Sequence, residues 1–138
     1  MLNPSTADGN EDDITIHRCM DFASFWRYGS LEVVNLFAYR ATSPEDLRHV
    51  KDPVGSENDR YLLEATERAA LIIVAWGKDG GLRNQDQAVL RLIADNNPLY
   101  CLGLTKAGHP RHPLYVESST TPVLFPVPPL QLVLPLGI

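Results

Sequence analysis

Two histidines late in the sequence are the residues best suited to acid–base or metal chemistry. His109 and His112 stand three positions apart in the segment HPRHPLY. With an acid such as Asp8 they could bind a divalent metal, but no helical pattern places both imidazoles on one face, so we predict no metal site. Ser5 lacks the GxSxG surroundings of a nucleophilic serine, and we expect no hydrolase triad.

Basic residues near these histidines indicate an anionic ligand, either DNA or a free nucleotide. The turn WGKDGG follows an apolar run and precedes a helical pattern, so its backbone could accept a phosphate. It matches neither GxGxxG nor a Walker loop, and a tight turn explains its glycines equally well. Four cations are predicted to contact phosphate groups: Arg40, Lys78, Lys106 and Arg111.

Three apolar runs supply the strands that would position these loops. Their apolar residues continue without strict alternation, which is typical of strands buried on both faces of a parallel sheet. Ligands bind such sheets at the carboxyl ends of the strands, and a polar loop containing Arg, Lys or His follows each run here. The runs are LEVVNLF (31–37), LIIVAW (71–76) and LYCLGL (99–104).

Helical patterns alternate with the apolar runs. The first places Ile16, Met20, Ala23 and Trp26 on one side and is expected to end at Gly29. The second begins with SEND, a variant of the capping box. The three patterns cover residues 13–28, 56–69 and 84–95. This order predicts an α/β fold, a three-layer α/β/α sandwich with a short, mostly parallel sheet.

Length and charge restrict the class of protein. A chain of 138 residues is sized for one domain, and contents of 44% apolar and 21% charged residues are typical of a globular protein. The net charge of −5 and the pI near 5.2 argue against a broad basic surface for duplex nucleic acid. A local basic patch is compatible with both values.

The end of the sequence differs from the rest. We predict a single α/β domain over residues 1–121 and a Pro-rich apolar tail over residues 122–138. Five prolines in the tail exclude a helix and disfavour a central strand. An irregular or edge-docked tail is therefore expected, and a dimer contact is the alternative.

The cysteines and the hydropathy pattern indicate a cytoplasmic protein. Cys19 and Cys101 show no metal-ligand spacing and read as small core residues of a reducing compartment. No segment reaches the roughly 18 to 20 consecutive apolar residues of a membrane span, and the first residues lack a signal-peptide pattern. We expect no membrane association.

The first residues pose a question about the sheet. If Met1 and Leu2 end a strand, then Asn3, Pro4 and Ser5 join the rim formed by the other loops. The earlier part of such a strand is missing from the sequence. The alternative is an ordinary turn before a capped helix.

Five ordered motifs resemble the domain of unknown function 1643 family, over roughly residues 1–117. They are MLNPSTADGNEDDITIHRC, VVNLFAYRATSPEDL, PVGSENDR, VAWG and CLGLTKAGHPRHPLYV. This resemblance implies no reaction.

A more distant resemblance links the sequence to the uracil-DNA glycosylase superfamily. That superfamily has an Asp-Pro or Asn-Pro loop after a strand, a strand ending in Asn, a strand ending in Trp-Gly and a late His-Pro loop. The matching pieces here are Asn3-Pro4, Asn35, Trp76-Gly77 and HPRHPLY. The resemblance implies a uracil-DNA glycosylase-like fold. It also implies a DNA glycosylase-like hydrolase that removes a modified or deaminated base during base-excision DNA repair.

The superfamily resemblance also implies residue roles. Asn35 would read the edge of an extruded base, and Asn3 would orient the attacking water. His112, or else His109, would donate a hydrogen bond as negative charge develops on the leaving base. No metal or organic cofactor is implied. The other base-binding positions would be Phe37, Pro4 and Ser5, and the phosphate contacts would be Arg40, Lys106, Arg111 and Lys78.

Two features depart from the superfamily pattern. The strand that would present Asn3 is almost wholly absent from the sequence, which predicts a loosely held site. Four acids near that loop would repel DNA phosphates, although helix capping explains them too: Asp8, Glu11, Asp12 and Asp13. The alternatives are a hydrolase or transferase acting on free nucleosides or nucleotides, and a non-catalytic module that binds a nucleotide or a protein partner.

Overall fold

Helices and a small sheet make up the part of the chain that the structure describes. This computed structural model describes residues 1, 10–37, 45–49, 51–52, 54–55, 57–94 and 97–127. The α-helices are α1 (Asn10–Phe25), α2 (Asp46–His49), α3 (Asn58–Arg68) and α4 (Gln85–Ile93). The strands are β1 (Tyr100–Cys101) and β2 (Val123–Leu124), and 3₁₀ turns cover Lys78–Asn84 and Pro113–Tyr115.

The second and third apolar runs lie side by side in parallel, as predicted, but with few hydrogen bonds. The Tyr100 N–H donates to the Ile72 carbonyl at 2.9 Å, and the Val74 N–H donates to the Tyr100 carbonyl at 2.8 Å. These bonds form a single parallel bridge between Ile73 and Tyr100. Residues 71–76 are therefore extended, yet they fall short of the regular strand that the sequence predicts.

The first apolar run has an unexpected partner. The Met1 amino group donates to the Val34 carbonyl at 3.1 Å, and the Leu36 N–H donates to the Met1 carbonyl at 2.9 Å. This pair of bonds is the pattern of a parallel bridge centred on Asn35. Met1 therefore pairs as a residue of a parallel strand would, and the other residues of that prediction, from Leu2 to Ser5, lie outside the described residues.

The start of the predicted tail packs on the domain. β2 pairs antiparallel with β1, with Tyr100 opposite Leu124, and the Phe125 N–H donates to the Leu99 carbonyl at 2.8 Å. This is the edge-docked arrangement expected for the tail, over residues 122–127. The rest of the tail, 128–138, lies outside the described residues, and the boundary at 121/122 stays a prediction.

A hydrophobic cluster joins α2, α3 and α4 to the extended segments. Full burial of one such side chain stabilises the fold by about 1.5 to 3 kcal/mol. Cys101 is a core residue, as predicted, whereas Cys19 is half-buried. The cluster contains Leu36, Phe37, Leu47, Leu62, Val74, Trp76, Leu82, Val89, Leu90, Ile93, Leu99, Cys101 and Phe125. Within the described part of the chain, no helix is long and apolar enough to cross a membrane.

Helix α1 turns a different face inward from the predicted one. Ile16 and Met20 are 41% and 51% exposed, whereas Thr15 and Phe22 are buried. The reason is the docking of α1 on the end of the domain: the Arg18 guanidinium donates to carbonyls of the segment 113–118. Hydrophobic periodicity alone could not predict this polar contact.

The end of α1 also differs from the prediction. The Tyr28 N–H donates to the Ala23 carbonyl at 2.8 Å, and the Arg27 N–H donates to the Ser24 carbonyl at 3.0 Å. These are the two bonds of a Schellman motif, with Arg27 in the left-handed conformation at φ 66°. The predicted terminator, Gly29, lies two residues too late.

Candidate functional site

A cleft lined by cationic side chains lies where three loops meet. We call it the cationic cleft, and its volume is about 430 Å³. It forms between the end of α2, the turn after residues 71–76 and the loop 105–110. Its lining residues are Arg48, Lys78, Asp79, Gly81, Leu82, Arg83 and His109.

Two glycines shape the turn that carries Lys78. Gly77 adopts φ 77°, which reverses the chain directly after Trp76, and its N–H donates to the Pro110 carbonyl at 2.9 Å. Gly80 lies against the Trp76 indole, and a Cβ there would fall 1.9 Å from Trp76 Cδ1. The turn therefore packs on the tryptophan ring as closely as backbone atoms allow.

The far side of the same turn is conformationally strained. Arg83 and Asn84 are consecutive left-handed residues with φ of 54° and 55°. A left-handed residue with a side chain costs roughly 1 to 2 kcal/mol, less for asparagine. The Arg83 guanidinium donates to the Arg48 carbonyl at 3.1 Å, which ties the turn to α2. Strain of this kind concentrates at functional sites.

A closed loop places His109 at the cleft. The Thr105 N–H donates to the His109 carbonyl at 2.8 Å, and the His109 N–H donates to Thr105 Oγ1 at 3.1 Å. Gly108, at φ 86°, donates to the Thr105 carbonyl at 2.9 Å. A Cβ on Gly81 would lie 3.9 Å from His109 Cε1, so the imidazole faces the backbone of the glycine turn.

The charges of the cleft favour an anion. Arg48, Lys78 and Arg83 face a single carboxylate among the lining residues, that of Asp79. Arg48 also forms an ion pair with Glu45, with Nε to Oε2 at 3.2 Å, and both side chains are more than half exposed. The Glu45 carboxylate offsets part of the charge of Arg48, so the positive charge of the cleft comes mainly from Lys78 and Arg83. A phosphate group is the ligand whose geometry and charge suit such a cluster.

His112 lies beside the turn, outside the lining of the cleft. Its Nδ1 accepts the Leu114 N–H at 3.2 Å, which caps the 3₁₀ turn, and its ring centroid lies 5.5 Å from that of Tyr115. A Cβ on Gly77 would meet His112 Cβ at 3.5 Å. When Nδ1 is an acceptor, a neutral imidazole carries its proton on Nε2. In a neutral His112 the proton therefore lies on Nε2.

The end of residues 31–37 is held by two side-chain amides. Asn58 Nδ2 donates to the carbonyls of Asn35 and Leu36, at 2.9 and 3.0 Å, and Gln85 Nε2 donates to the Leu36 carbonyl at 3.2 Å. These bonds fix the backbone at Asn35, which is half-buried and does not line the cleft. Phe37 is fully buried in the core, which disfavours its predicted role as a stacking face for a base.

The remaining predicted site residues are not assembled at the cleft. Lys106 is exposed in the loop 105–110, and Arg111 donates through Nε to the Leu104 carbonyl at 3.2 Å. Neither lines the cleft. Asn3, Pro4, Ser5 and Arg40 lie outside the described residues. Among the residues that are described, no group of three or more His, Cys, Asp or Glu could hold a metal ion.

Sequence reasoning brought Lys78 and His109 together but missed Arg48 and Arg83. Arg48 lies in the short helix α2, which no periodic pattern predicts because the helix spans one turn. Arg83 follows the glycine turn, and only its left-handed backbone aims it across to α2. The position of Arg83 in the sequence could have indicated a role in the site. Arg83 lies between GKDGG and the start of a helix, where turn residues concentrate.

One family model matches the chain. The family is described as a protein of unknown function (DUF1643), and the match covers residues 1–114. The matched span contains every lining residue of the cleft, and it contains His112. No curated protein and no solved structure matches the chain.

Proposed function

The chain belongs to the DUF1643 family, and we propose from its own residues that it is a DNA glycosylase-like hydrolase that cleaves the N-glycosidic bond of a modified or deaminated nucleobase. The observation that carries the proposal is the convergence of Lys78, Arg83 and His109 in one cleft, next to His112. The cleft would bind a phosphate of the nucleic-acid strand. The rim beside it would hold the base.

In the proposed reaction, water attacks the anomeric carbon of the sugar and the carbon–nitrogen bond to the base breaks. The proton that the water loses passes through solvent to the departing base, so that the products are the sugar hydroxyl and the neutral base. The departing base takes the bonding electron pair and develops negative charge. His112 would donate a hydrogen bond from Nε2 to the base at that stage. Its capping bond through Nδ1 supports this role because it favours the tautomer that has a proton on Nε2.

Asn35 would bind the edge of the base, and Asn3 would hold the water. The amides of Asn58 and Gln85 support the first role, since they fix the backbone at the end of residues 31–37. Pro4 and Ser5 would complete the base site, and Arg40, Lys106 and Arg111 would contact neighbouring phosphates. No metal or organic cofactor takes part in the proposed reaction, and we place it in the cytoplasm.

The proposal includes the finer fold, a three-layer α/β/α sandwich similar to uracil-DNA glycosylases. Two parallel bridges support it, Met1 with residues 34–36 and Ile73 with Tyr100. Parallel pairing needs crossover connections, and helices fill those connections here.

The test uses oligonucleotides that carry uracil or hypoxanthine, in single- and double-stranded form, and detects abasic sites. We expect His112→Asn to lower the cleavage rate about 100-fold, because asparagine keeps a capping acceptor but loses the Nε2 donor. His17→Ala, at an exposed position of α1, is the matched control and should cleave at the wild-type rate. Equal rates for His112→Asn and wild type would contradict the proposed role of His112.

A second candidate is an enzyme that acts on free nucleotides or a module that binds them. The net charge of −5 favours it, because repulsion weakens binding of a long nucleic acid more than binding of one nucleotide. Base release from mononucleotides without abasic sites in oligonucleotides would select the enzyme. Saturable nucleotide binding that Lys78→Met weakens roughly tenfold, with no base release, would select the module.

A further inference from the structure

A second opening lies between two extended segments on the side of residues 71–76 opposite β1. We call it the apolar groove, and its volume is about 310 Å³. Its walls are the backbones of residues 31–36 and 70–76. Helix α1 covers it with Phe22 and Ala23, and α3 and α4 contribute Leu62, Ala65 and Ile93.

The first wall presents backbone groups to the groove. The Ile72 carbonyl and the Val74 N–H bond to β1. Neighbouring residues of an extended chain direct their N–H and C=O groups to opposite sides, so those of Ile73 point away from β1, toward the groove.

The second wall is already used for parallel pairing. The Val34 carbonyl and the Leu36 N–H bond to Met1, and Met1 also lines the groove. One residue of an extended chain is thus seated at the carboxyl end of the groove, in the register of a strand. The direction of any longer occupant follows from this bridge, because it must run parallel to residues 31–36.

The lining above and below the groove sets the chemistry of the occupant. A strand that packs against helices on both faces carries apolar side chains at successive positions instead of alternating ones. The predicted tail of the chain fits poorly, because Pro135 would interrupt a central strand.

We propose that the apolar groove binds an extended apolar peptide strand of a partner protein, parallel to residues 31–36, with its carboxyl end beside Met1. Such a strand would add backbone hydrogen bonds to Ile73 on one wall and to the segment 31–34 on the other. About six residues would span the wall of residues 31–36. This inference does not rest on the proposed function, because it requires neither the cationic cleft nor a bound base. The two proposals share Asn35, which also lines the groove.

The experiment tethers a candidate strand at the groove. One variant carries the extension GVIVLV directly before Met1, and a matched control carries GSTSTS. The footprint is the rate at which maleimide modifies Cys19, which lines the groove and is half-buried, while fully buried Cys101 serves as the internal control. The peptide KKGVIVLV, added to the unextended protein, tests binding without a tether.

The apolar extension should raise the melting temperature by at least about 5 °C over the polar one, because several apolar side chains leave water. It should also slow the modification of Cys19 at least about tenfold relative to the polar extension, which removes the Met1 amino charge near Cys19 in the same way. Added KKGVIVLV should slow it in a saturable manner. Equal melting temperatures and equal Cys19 rates for the two extensions would overturn the proposal.

Two other occupants give different results. If residues 128–138 fill the groove, deleting them from the unextended protein would speed the modification of Cys19. If a second copy fills it, the Cys19 rate would fall with protein concentration as the sedimenting mass doubles. Either result would overturn the proposal.

Discussion

The cationic cleft is lined mainly by charged side chains and turn backbone from three loops, whereas the apolar groove is lined by aliphatic and aromatic side chains from two extended segments and three helices. The cleft is shaped by local devices: positive-φ glycines, two left-handed residues and short loop-closing hydrogen bonds. The walls of the groove, residues 31–36 and 70–76, contain no residue of positive φ. A local turn can form the cleft by itself, whereas a gap between two extended segments depends on the chain segment that occupies the gap.

The two openings also share one extended segment. Residues 71–76 form a wall of the groove, and Trp76 at their end packs under the turn of the cleft. Changes at this junction should therefore affect both openings, whereas changes in the turn should affect the cleft alone.

The largest effect is expected from Phe37→Ala, in the core beneath the end of residues 31–37. Loss of a fully buried phenylalanine should lower the free energy of unfolding by about 3 to 5 kcal/mol, measured by urea denaturation. Phe37→Leu keeps most of the volume and should cost less than about 1.5 kcal/mol. If Phe37→Ala were as stable as wild type, the ring would not be a core residue and its predicted contact with a base would regain support.

Gly80→Ala should be the next most damaging, and it tests the junction between the openings. The new Cβ would lie 1.9 Å from Trp76 Cδ1, so the turn must move off the indole. We expect a loss of about 2 to 3 kcal/mol in the free energy of unfolding, together with weaker phosphate binding. Gly29→Ala is the control, because no atom lies within 4 Å of its Cβ position, and its stability should change by less than about 0.5 kcal/mol. Equal stability of the two variants would show that the turn does not need its contact with Trp76.

Measuring the free energy of unfolding as a function of pH tests the burial of Met1 at the end of the groove. Burial lowers the pKa of the Met1 amino group from 8.0 to about 6, and the neighbouring Cys19 has a smaller, opposing influence on this pKa. Between these values the unfolded chain binds the proton and the folded chain does not. The free energy of unfolding should therefore rise from pH 6 to pH 8, by up to about 2 to 3 kcal/mol, and the gain is lost as the pH falls.

N-terminal acetylation supplies the control for that titration. An acetylated Met1 has no titrating amino group, so its stability should change less between pH 6 and pH 8 than that of the free amine. The same slope in both proteins would assign the pH dependence to other groups, and the histidines would be the next to test.

The smallest effect on stability is expected from Arg83→Gly. Unlike Phe37→Ala and Gly80→Ala, this variant should be more stable than the wild type. Glycine adopts the left-handed conformation without the steric cost, so the free energy of unfolding should rise by up to about 1 kcal/mol, reduced by the lost bond to the Arg48 carbonyl. Phosphate binding to the cleft, measured by isothermal titration calorimetry, should weaken roughly tenfold. Arg27→Gly, at a left-handed position in the Schellman motif of α1, should stabilise similarly with phosphate binding unchanged. Unchanged phosphate affinity in Arg83→Gly would remove Arg83 from the site.

The helices could be predicted from the sequence better than the strands. Observed α1, α3 and α4 overlap the three helical patterns, because helix formation depends on local periodicity and end signals. The predicted strands at 31–37 and 71–76 contribute single bridges instead of ladders, since a ladder requires a neighbouring chain at hydrogen-bond distance. Apolar runs indicate burial, but they do not indicate which segment of the chain will lie beside them in the sheet.

The candidate site likewise contains some residues that the sequence predicted and others that it did not. Lys78 and His109 were predictable because each follows an apolar run in a polar, Gly-containing loop, and the loops after parallel segments meet at one edge. Arg48 and Arg83 were not, because a one-turn helix and two left-handed residues bring them together. His112 and His109 were alternatives in one motif, and the structure separates them: one lies at the cleft, and the other caps a turn beside Gly77.

The sequence by itself determined the helical segments and the polar loops after the apolar runs, since both follow from the identity and spacing of nearby residues. Its prediction that the first run is buried on both faces was wrong for Leu31 and Val33, which are 42% and 38% exposed. Only the tertiary structure decided which cations share a cleft, which face of α1 packs inward and where Met1 pairs. Those outcomes depend on contacts between residues tens of positions apart, and a hydrogen bond such as that from Leu36 to Met1 exists only when both segments are already in place.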